Sequence, residues 1–405
     1  MKKTELLAPA GNFSKLKTAI RFGADAVYAG GKNFSLRALS DNFTDEELKE
    51  AVSYAHGRGV KFYVTVNIFP KNADMPEAAR YFRFLQNIGV DAVLITDPGF
   101  LSLCREVAPF LPVHLSTQAN TLNYRAVSFW REQGVKRVVL ARELSLSEIA
   151  EISERVPDVE LEAFVHGAMC ISYSGRCLLS NYFNGRDSNR GECVQACRWN
   201  YELRERSRDG DSYPVEEDGR GTYILNSKDL NMIGSLPEME NAGIVSMKIE
   251  GRMKSEYYLA TVVNAYRRAL DECHNNVDNY RKNIEFYQNE LRKTNHRAFT
   301  TAYMLGALEN TVNSRDSQSA GERIFAAVVL KGSDENGLAV VEMRNRFVVG
   351  DELEVLSPGE NFNRRFAVEE MFGEEGERLT DAKIVQQKIV LFCPFRLCEG
   401  DILRK

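Results

Sequence analysis

The sequence predicts an α/β fold, a TIM-like (β/α)8 barrel followed by a small all-β domain. Short apolar strands alternate with longer amphipathic segments eight times from the N-terminus. The phrases Phe22-Gly23-Ala24-Asp25-Ala26-Val27, Ile88-Gly89-Val90-Asp91-Ala92-Val93 and Gln133-Gly134-Val135-Lys136-Arg137-Val138 each end a helix at glycine and enter a strand within a few residues. No Gly-x-Gly-x-x-Gly run follows the first strand, which disfavours an open doubly wound sheet. Eight strand–helix units occupy about 270 residues, the size of a closed parallel barrel.

In chain order the strands are expected at Glu5–Ala8, Ala26–Ala29, Lys61–Val66, Ala92–Thr96, Val113–Ser116, Arg137–Leu140, Glu160–Val165 and Val245–Ile249. Thr44 with Glu47, and Ser145 with Glu148, have the spacing of helix-starting capping boxes. The connection after the seventh strand is abnormally long, an insertion covering 167–245 against the usual 2–6 residues plus a helix. It holds a polar stretch, Arg204–Arg220, and a strand-like Thr222–Leu225. Tyr257–Cys273 reads as the last barrel helix and Asn279–Lys293 as a further amphipathic helix, and the polar residues 309–321 read as a linker. From Arg323 the texture changes to strands at Ile324–Leu330, Leu338–Met343, Glu352–Leu356, Ala367–Met371 and Lys388–Phe392, a β domain with a barrel-like closure. The expected division is therefore a barrel over 1–275, a helical and linker segment over 276–322, and a β domain over 323–405.

Composition narrows the function classes. Of 405 residues 44% are hydrophobic, enough for a large core, and Pro plus Gly number only 39, which excludes fibrous and disordered classes. No apolar stretch approaches the ~18 residues of a membrane helix, and the N-terminus lacks the apolar middle of a signal peptide. The expectation is a soluble, cytoplasmic protein with no membrane partner. Fifty-two basic residues against 57 acidic ones give a formal charge of −5, so the overall field does not favour nucleic acid, and an RNA partner needs a local basic patch. The C-terminal region, with 12 basic and 15 acidic side chains over 323–405, offers none.

Ligands of a barrel gather at the C-terminal ends of its strands. Those positions read Pro9-Ala10-Gly11, Gly30-Gly31, Asn67, Asp97-Pro98, Thr117-Gln118, Arg142-Glu143, His166-Gly167 and Glu250-Gly251-Arg252. Four of the eight cysteines, Cys170, Cys177, Cys193 and Cys197, fall within 28 residues of the insertion, separated by six, fifteen and three residues. Four thiolates at such spacing suit an iron–sulfur cluster, a tetrahedral zinc site or a set of free thiols. Only the second pair has zinc-knuckle spacing, and irregular spacing within one loop suits a cluster better. His166 beside Cys170 also has the composition of a thiol-protease pair. Signatures of zinc proteases, serine hydrolases and P-loop enzymes are absent from the sequence.

Glu162 to Ser180 matches the pattern E-x-F-x2-G-[SA]-[LIVM]-C-x4-G-x-C-x-[LIVM]-S and resembles the collagenase-like family catalogued as peptidases of unknown catalytic type. The likeness extends to Leu7-Ala8-Pro9-Ala10-Gly11, Asn226-Ser227-Lys228-Asp229-Leu230 and Lys248-Ile249-Glu250-Gly251-Arg252-Met253-Lys254. Members include proteins that hydroxylate RNA or ubiquinone precursors without molecular oxygen, carry a 4Fe–4S cluster and are linked to prephenate. Glu192-Cys193-Val194-Gln195-Ala196-Cys197-Arg198-Trp199 is most similar to the tRNA hydroxylation branch, which makes 5-hydroxyuridine at the wobble position. The resemblance implies that Cys170, Cys177, Cys193 and Cys197 are the cluster ligands. Some relatives have a cysteine after the Lys-Asp-Leu motif, where this chain has Asn231 and Met232. A dicarboxylate such as prephenate requires cationic clamps, for which Arg142, Arg176, Lys228, Lys248 and Arg252 are the candidates, Lys248 alternatively serving as a buried partner of Glu250. Asp229, Glu250 and His166 are the candidate acid–base or orienting groups. Tyr173, Tyr182, Phe183 and Trp199 offer rings for an unstacked base, and Arg186, Arg190, Arg198, Arg204, Arg206 and Arg208 offer charge for tRNA phosphates. The implied partners are tRNA, the small dicarboxylate and a further copy or second subunit; peptidase action and a zinc-stabilised RNA-binding subunit are the alternatives.

Overall fold

The computed structural model describes residues 3–37, 41–199, 217–218, 221–222, 227–306, 319 and 321–405. Eight parallel strands close a barrel: β1 (Glu5–Pro9), β2 (Ala26–Gly30), β3 (Lys61–Val66), β4 (Ala92–Ile95), β5 (Val113–Leu115), β6 (Arg137–Val139), β7 (Glu160–Ala168) and β8 (Ile244–Ile249). Closure is made by β8, which pairs with β1 (Glu5 opposite Ser246) and with β7 (Met247 opposite Ala163). Every strand lies where the sequence alternation places it, apart from its ends.

The helices between the strands begin at side-chain caps. Helix α1 (Phe13–Arg21) starts at Asn12, α2 (Asp45–His56) at the Thr44–Glu47 capping box, and α3 (Met75–Asn87) follows a short turn. Helices α4 (Pro98–Val107), α5 (Tyr124–Glu132) and α6 (Leu146–Arg155) start at Asp97, Asn123 and the Ser145–Glu148 box. Each cap occupies an amide that the first helical turn leaves unpaired. The apolar faces pack on the strands in one continuous core.

Strand β7 runs three residues beyond its expected end because Asp229–Asn231 pairs antiparallel against Ala168, Gly167 and His166. This added strand belongs to the insertion, and Phe299–Thr300 pairs with it in turn. The insertion also contains α7 (Leu179–Asn184) and α8 (Leu236–Asn241). Arg204, Arg206, Arg208, residues 223–225 and nearly all of the 309–321 segment lie outside the described residues. Helix α9 (Glu256–Asn275) follows β8. The single helix expected over 279–293 is two, α10 (Val277–Lys282) and α11 (Ile284–Arg292), broken at Asn283, whose amide donates to the Glu272 carboxylate at 2.8 and 3.1 Å.

The C-terminal β domain is an antiparallel sheet of eight strands. In spatial order its first five are Arg365–Ala367, Glu352–Leu356, Ile402–Arg404, Phe325–Lys331 and Leu338–Met343. The remaining three are Lys388–Phe392, Met371–Phe372 and Arg378–Leu379. The strand expected over Ala367–Met371 is split, because Val368 bonds the Gly350–Asp351 turn and Glu369 and Glu370 face solvent. Arg404, fully buried, joins this domain to helix α11 by reaching Glu354 at 2.7 Å and Glu290 at 2.8 Å. Among the described residues no helix is long and apolar enough to cross a membrane.

Candidate active site at the mouth of the barrel

Near its end β7 turns sharply. Gly167 has φ +104°, and a Cβ there would meet the Glu250 carbonyl oxygen at 2.5 Å, so only glycine fits between β7 and β8. Three residues later Cys170 enters a cavity of about 180 Å³ whose wall also carries Cys177, Cys193 and Cys197. All four thiols are free and half-buried. The Sγ atoms of Cys170, Cys177 and Cys193 each accept the backbone N–H two residues on, from Ser172, Leu179 and Gln195, at 3.4 Å. Burial pushes the Cys197 thiol up, against the pull of Arg198. Among the described residues no three or more His, Cys, Asp or Glu side chains are arranged to hold a metal ion.

Side chains distant in sequence shape the cysteine loop. The Glu143 carboxylate accepts the Ser174 amide at 2.6 Å and its hydroxyl at 2.7 Å, holding a residue with φ +46°. Asn189 accepts the Cys177 amide at 3.3 Å, while its side-chain amide donates to the Cys177 carbonyl at 3.0 Å. Arg190 grips both oxygens of Asp74 at 2.8 and 3.0 Å.

Below the thiols a second cavity of about 50 Å³ enters the barrel, sharing Arg37, Gln118, Arg142 and Glu250 with the first. Arg142 lies over the Phe164 ring at 3.9 Å and donates to the Ala168 carbonyl at 2.9 Å, and its buried Nε has no partner among the described residues. Arg37 stands 3.6 Å from Glu250. Burial would raise the Glu250 pKa, but Arg37, Arg142 and Arg252 outweigh it and hold the carboxyl below its usual range. Arg252 is buried, donates at 2.8 Å to Ser35, Thr65 and Asn42, and has its pKa lowered to about 10 by burial. Of the rim residues expected from the strand ends, Asn67, Thr117, Gln118, Arg142, Glu250, Gly251 and Arg252 line these cavities.

Lys248 also lines the lower cavity, but its partner is Glu162 at 2.8 Å rather than Glu250. Glu162 simultaneously accepts Arg137 at 3.1 Å, and Arg137 reaches Glu160 at 2.7 Å, so a buried charge chain runs down the barrel interior.

Four of the candidate site residues, His166, Asp229, Arg176 and Lys228, line neither cavity. His166 does not enter either cavity; it is buried among Tyr258, Tyr266 and Phe299, and burial lowers its pKa to about 3. No histidine lines the thiol cavity, so the Cys170–His166 pair of a thiol protease is not formed among the described residues. Asp229 lines neither cavity and binds Arg297, receiving its Nε at 2.9 Å and its backbone amide at 3.1 Å; it fastens the 297–300 segment. Arg176 is exposed outside both cavities and donates to the Gln118 carbonyl at 2.8 Å, and Lys228 lines neither cavity. Of the arginines expected to meet phosphates, Arg190 is paired with Asp74 and Arg198 lines the thiol cavity, while Arg186 is exposed. Sequence reasoning missed Arg37 and Lys254, both lining the thiol cavity. Arg37 follows β2 in an irregular loop with no periodic signal, whereas Lys254 closes a motif already noted.

The barrel with its four-thiol insertion and the β domain each match a described protein family. Residues 11–314 match Peptidase family U32 and residues 322–404 match the Peptidase family U32 C-terminal domain, and the chain belongs to this family. Within it the chain groups with the tRNA hydroxylation proteins P. It is 42% identical to tRNA hydroxylation protein P1 of Bacillus subtilis (strain 168), over 100% of this chain and 95% of that one. Identity to tRNA hydroxylation protein P of Escherichia coli (strain K12) is 38%, over 94% of this chain and 91% of that one. The 23S rRNA 5-hydroxycytidine C2501 synthase of the same strain is 33% identical over 93% of this chain and 56% of its own.

Proposed function

We infer that this protein hydroxylates the wobble uridine of tRNA to 5-hydroxyuridine without molecular oxygen. In this reading Cys170, Cys177, Cys193 and Cys197 hold a 4Fe–4S cluster, and a prephenate-type dicarboxylate is the co-substrate. The observation that carries the reading is the gathering of four thiols on the wall of one cavity that opens onto buried cations. The names of the relatives add to it, two being tRNA hydroxylation proteins and the third named for a 5-hydroxylated pyrimidine in RNA. The reading assigns the protein to the cytoplasm.

The donor set suits a cluster better than zinc. Zinc knuckles pair their cysteines two to four residues apart, a spacing that only Cys193 and Cys197 have. Cluster thiolates spread over a larger body, and N–H···S bonds of the kind made to Cys170, Cys177 and Cys193 tune cluster potentials. When bound, the cluster would supply electron-transfer chemistry at the cavity wall.

The chain's own residues do the rest. Arg142 and Arg37 stand at the junction of the two cavities, where a carboxylate can take a forked pair of donors. Glu250, kept ionised between them, accepts rather than donates a proton near neutral pH. Lys248 is neutralised by Glu162 and fixes the floor of the lower cavity.

The test is anaerobic purification followed by iron and acid-labile sulfide assays, an absorbance spectrum, and nucleoside mass spectrometry of unmodified tRNA incubated with protein and prephenate. Stoichiometric iron and sulfide with broad visible absorption, lost in Cys193→Ala, and hydroxylated uridine in the wild-type reaction are expected. Colourless zinc protein, or a loaded protein that leaves uridine unchanged, would overturn the reading.

A further inference from the structure

Most cations around the barrel mouth have an evident partner. Lys248 has Glu162 at 2.8 Å, Arg37 stands 3.6 Å from Glu250, and Arg297 binds Asp229. Arg252 is held by the oxygens of Ser35, Thr65 and Asn42. Three cations on the wall of the thiol cavity, Arg142, Arg198 and Lys254, have no carboxylate within ion-pair reach among the described residues. Arg198 follows Cys197 and acts on the Cys197 and Cys193 thiols, so its charge is matched there. Lys254 is different: the charges that act most on it are Asp229, Arg297, Arg198 and Glu250, and no thiol is among them. Its ammonium sits 5.0 Å from the centre of the Tyr258 ring, half-buried, and burial lowers its pKa. A cation withdrawn from water in this way is costly until an anion meets it. Arg142 follows β6 and Lys254 follows β8, with β7 paired between them, so their strands stand two spacings apart, about 10 Å. Of the two, only Arg142 also lines the lower cavity.

We propose that Lys254 holds the second acid group of a compact dianionic ligand whose first acid group is held at Arg142. The inference rests on the diacid reading above and names the residue that tells a diacid from a monoacid. Size decides which end goes where. The lower cavity, of about 50 Å³, has room for a carboxylate on a short arm, whereas a cavity that takes a benzene ring is nearer ~150 Å³. The carboxylate on the arm therefore points down to Arg142, and the ring with its own carboxylate stays above, on the side of Lys254. Glu250, the acidic residue common to both cavities, is already met by Arg37 and leaves these two cations for the ligand. An RNA phosphate could meet Lys254 in the upper cavity but would leave Arg142, at the deeper junction, unmatched.

The test is calorimetric titration of the anaerobically purified full chain with two acids. Prephenate carries both carboxylates; phenylpyruvate keeps the one on the side arm and lacks the one on the ring. Wild type should bind prephenate more tightly. Lys254→Gln should weaken prephenate binding roughly tenfold to a hundredfold, the loss expected for one charge-assisted contact. The same variant should leave phenylpyruvate binding within about twofold of wild type. Arg142→Gln should weaken both acids, and Lys254→Arg, which keeps the charge, should retain most of the prephenate affinity. Iron content and melting temperature equal to wild type distinguish a lost contact from misfolding. If Lys254→Gln weakens both acids alike, or neither, while wild type binds prephenate, the assignment of Lys254 is wrong and the diacid reading stands. If the variant spares prephenate but weakens binding of a labelled anticodon stem–loop, Lys254 meets a phosphate and the proposal is overturned. If wild type binds neither acid, the diacid reading falls and the role of Lys254 falls with it.

Discussion

The His166 imidazole, enclosed by three aromatic rings, has a pKa lowered to about 3 by burial, whereas in an unfolded chain it titrates near ~6.5. Below that value the unfolded chain binds a proton that the folded one refuses, so stability falls as pH drops from about 6.5 toward 3, by about 1.4 kcal/mol per pH unit. His166→Phe should remove this contribution: urea midpoints measured at pH 7 and pH 5 should separate less in the variant than in wild type. The sequence could not reveal the aromatic enclosure. Phe164 lines the lower cavity, and strict alternation would place His166 on the same face. A register shift between the pairs Lys248–Phe164 and Ile249–His166 turns the strand at that point and sends the ring outward. Bulges leave no mark in hydrophobic periodicity. Glu162, two residues before Phe164, keeps the inward direction and meets Lys248. The same carboxylate serves two buried cations, so Glu162→Ala should destabilise the barrel by roughly 3–5 kcal/mol, read as a fall in denaturant midpoint.

Among the elements, the cysteine loop shows how a visible motif depends on residues the motif does not contain. The four thiols were legible from spacing, and their gathering around one cavity follows from the turns between them. Those turns are fixed by Glu143, from the rim after β6, and by Asp74, from the turn before α3. Neither is near the cysteines in sequence, and a lone acidic residue in a loop carries no signal of its destination. The Arg190 hydrogen bonds hold the Asp74 carboxyl below its usual range, so this clamp persists at neutral pH and is released only as pH falls below ordinary carboxylate values. Arg190→Ala should loosen the loop without unfolding the barrel. Limited proteolysis is expected to cut within 171–199 several-fold faster than in wild type, with the global melting temperature nearly unchanged. Equal cleavage rates would show that the loop is held by other contacts. Helix and strand positions, by contrast, were legible almost throughout, because capping boxes and glycine stops are local chemistry.

Across the whole molecule the β domain meets the α11 region through charge and the barrel through apolar packing, with Leu356 and Ile402 in the barrel's own core cluster. Arg404 bridges Glu290 of α11 and Glu354 of the β domain, and Lys293 joins both carboxylates. Burial alone would raise the Glu354 pKa, yet Arg404 and Lys293 lower it to about 2. Its contribution is complete above the unfolded carboxylate value near ~4.3 and is lost as pH falls toward 2. Arg404→Ala should leave two buried carboxylates short of a cation and cost roughly 3–5 kcal/mol. Calorimetry is expected to show an earlier, separate transition for the β domain; a single transition at the wild-type temperature would contradict the coupling. Alternation predicted the strands beginning at 325, 338, 352 and 388 but not Ile402–Arg404, the order of the sheet or the buried arginine, since these depend on contacts between residues far apart in the chain.

That order has a consequence in time. Ile402–Arg404 occupies the interior of its sheet, between strands beginning at 352 and 325. A ribosome working at 5–20 residues per second takes roughly ten to thirty seconds to pass from the last barrel strand to this one. During that interval the barrel can close on itself, while the strands on either side of the gap display unpaired edges of the kind that invite association with other chains. The small domain is therefore most exposed to misassembly just before its synthesis reaches residue 404, and nascent chains stalled earlier should be the ones that chaperones capture.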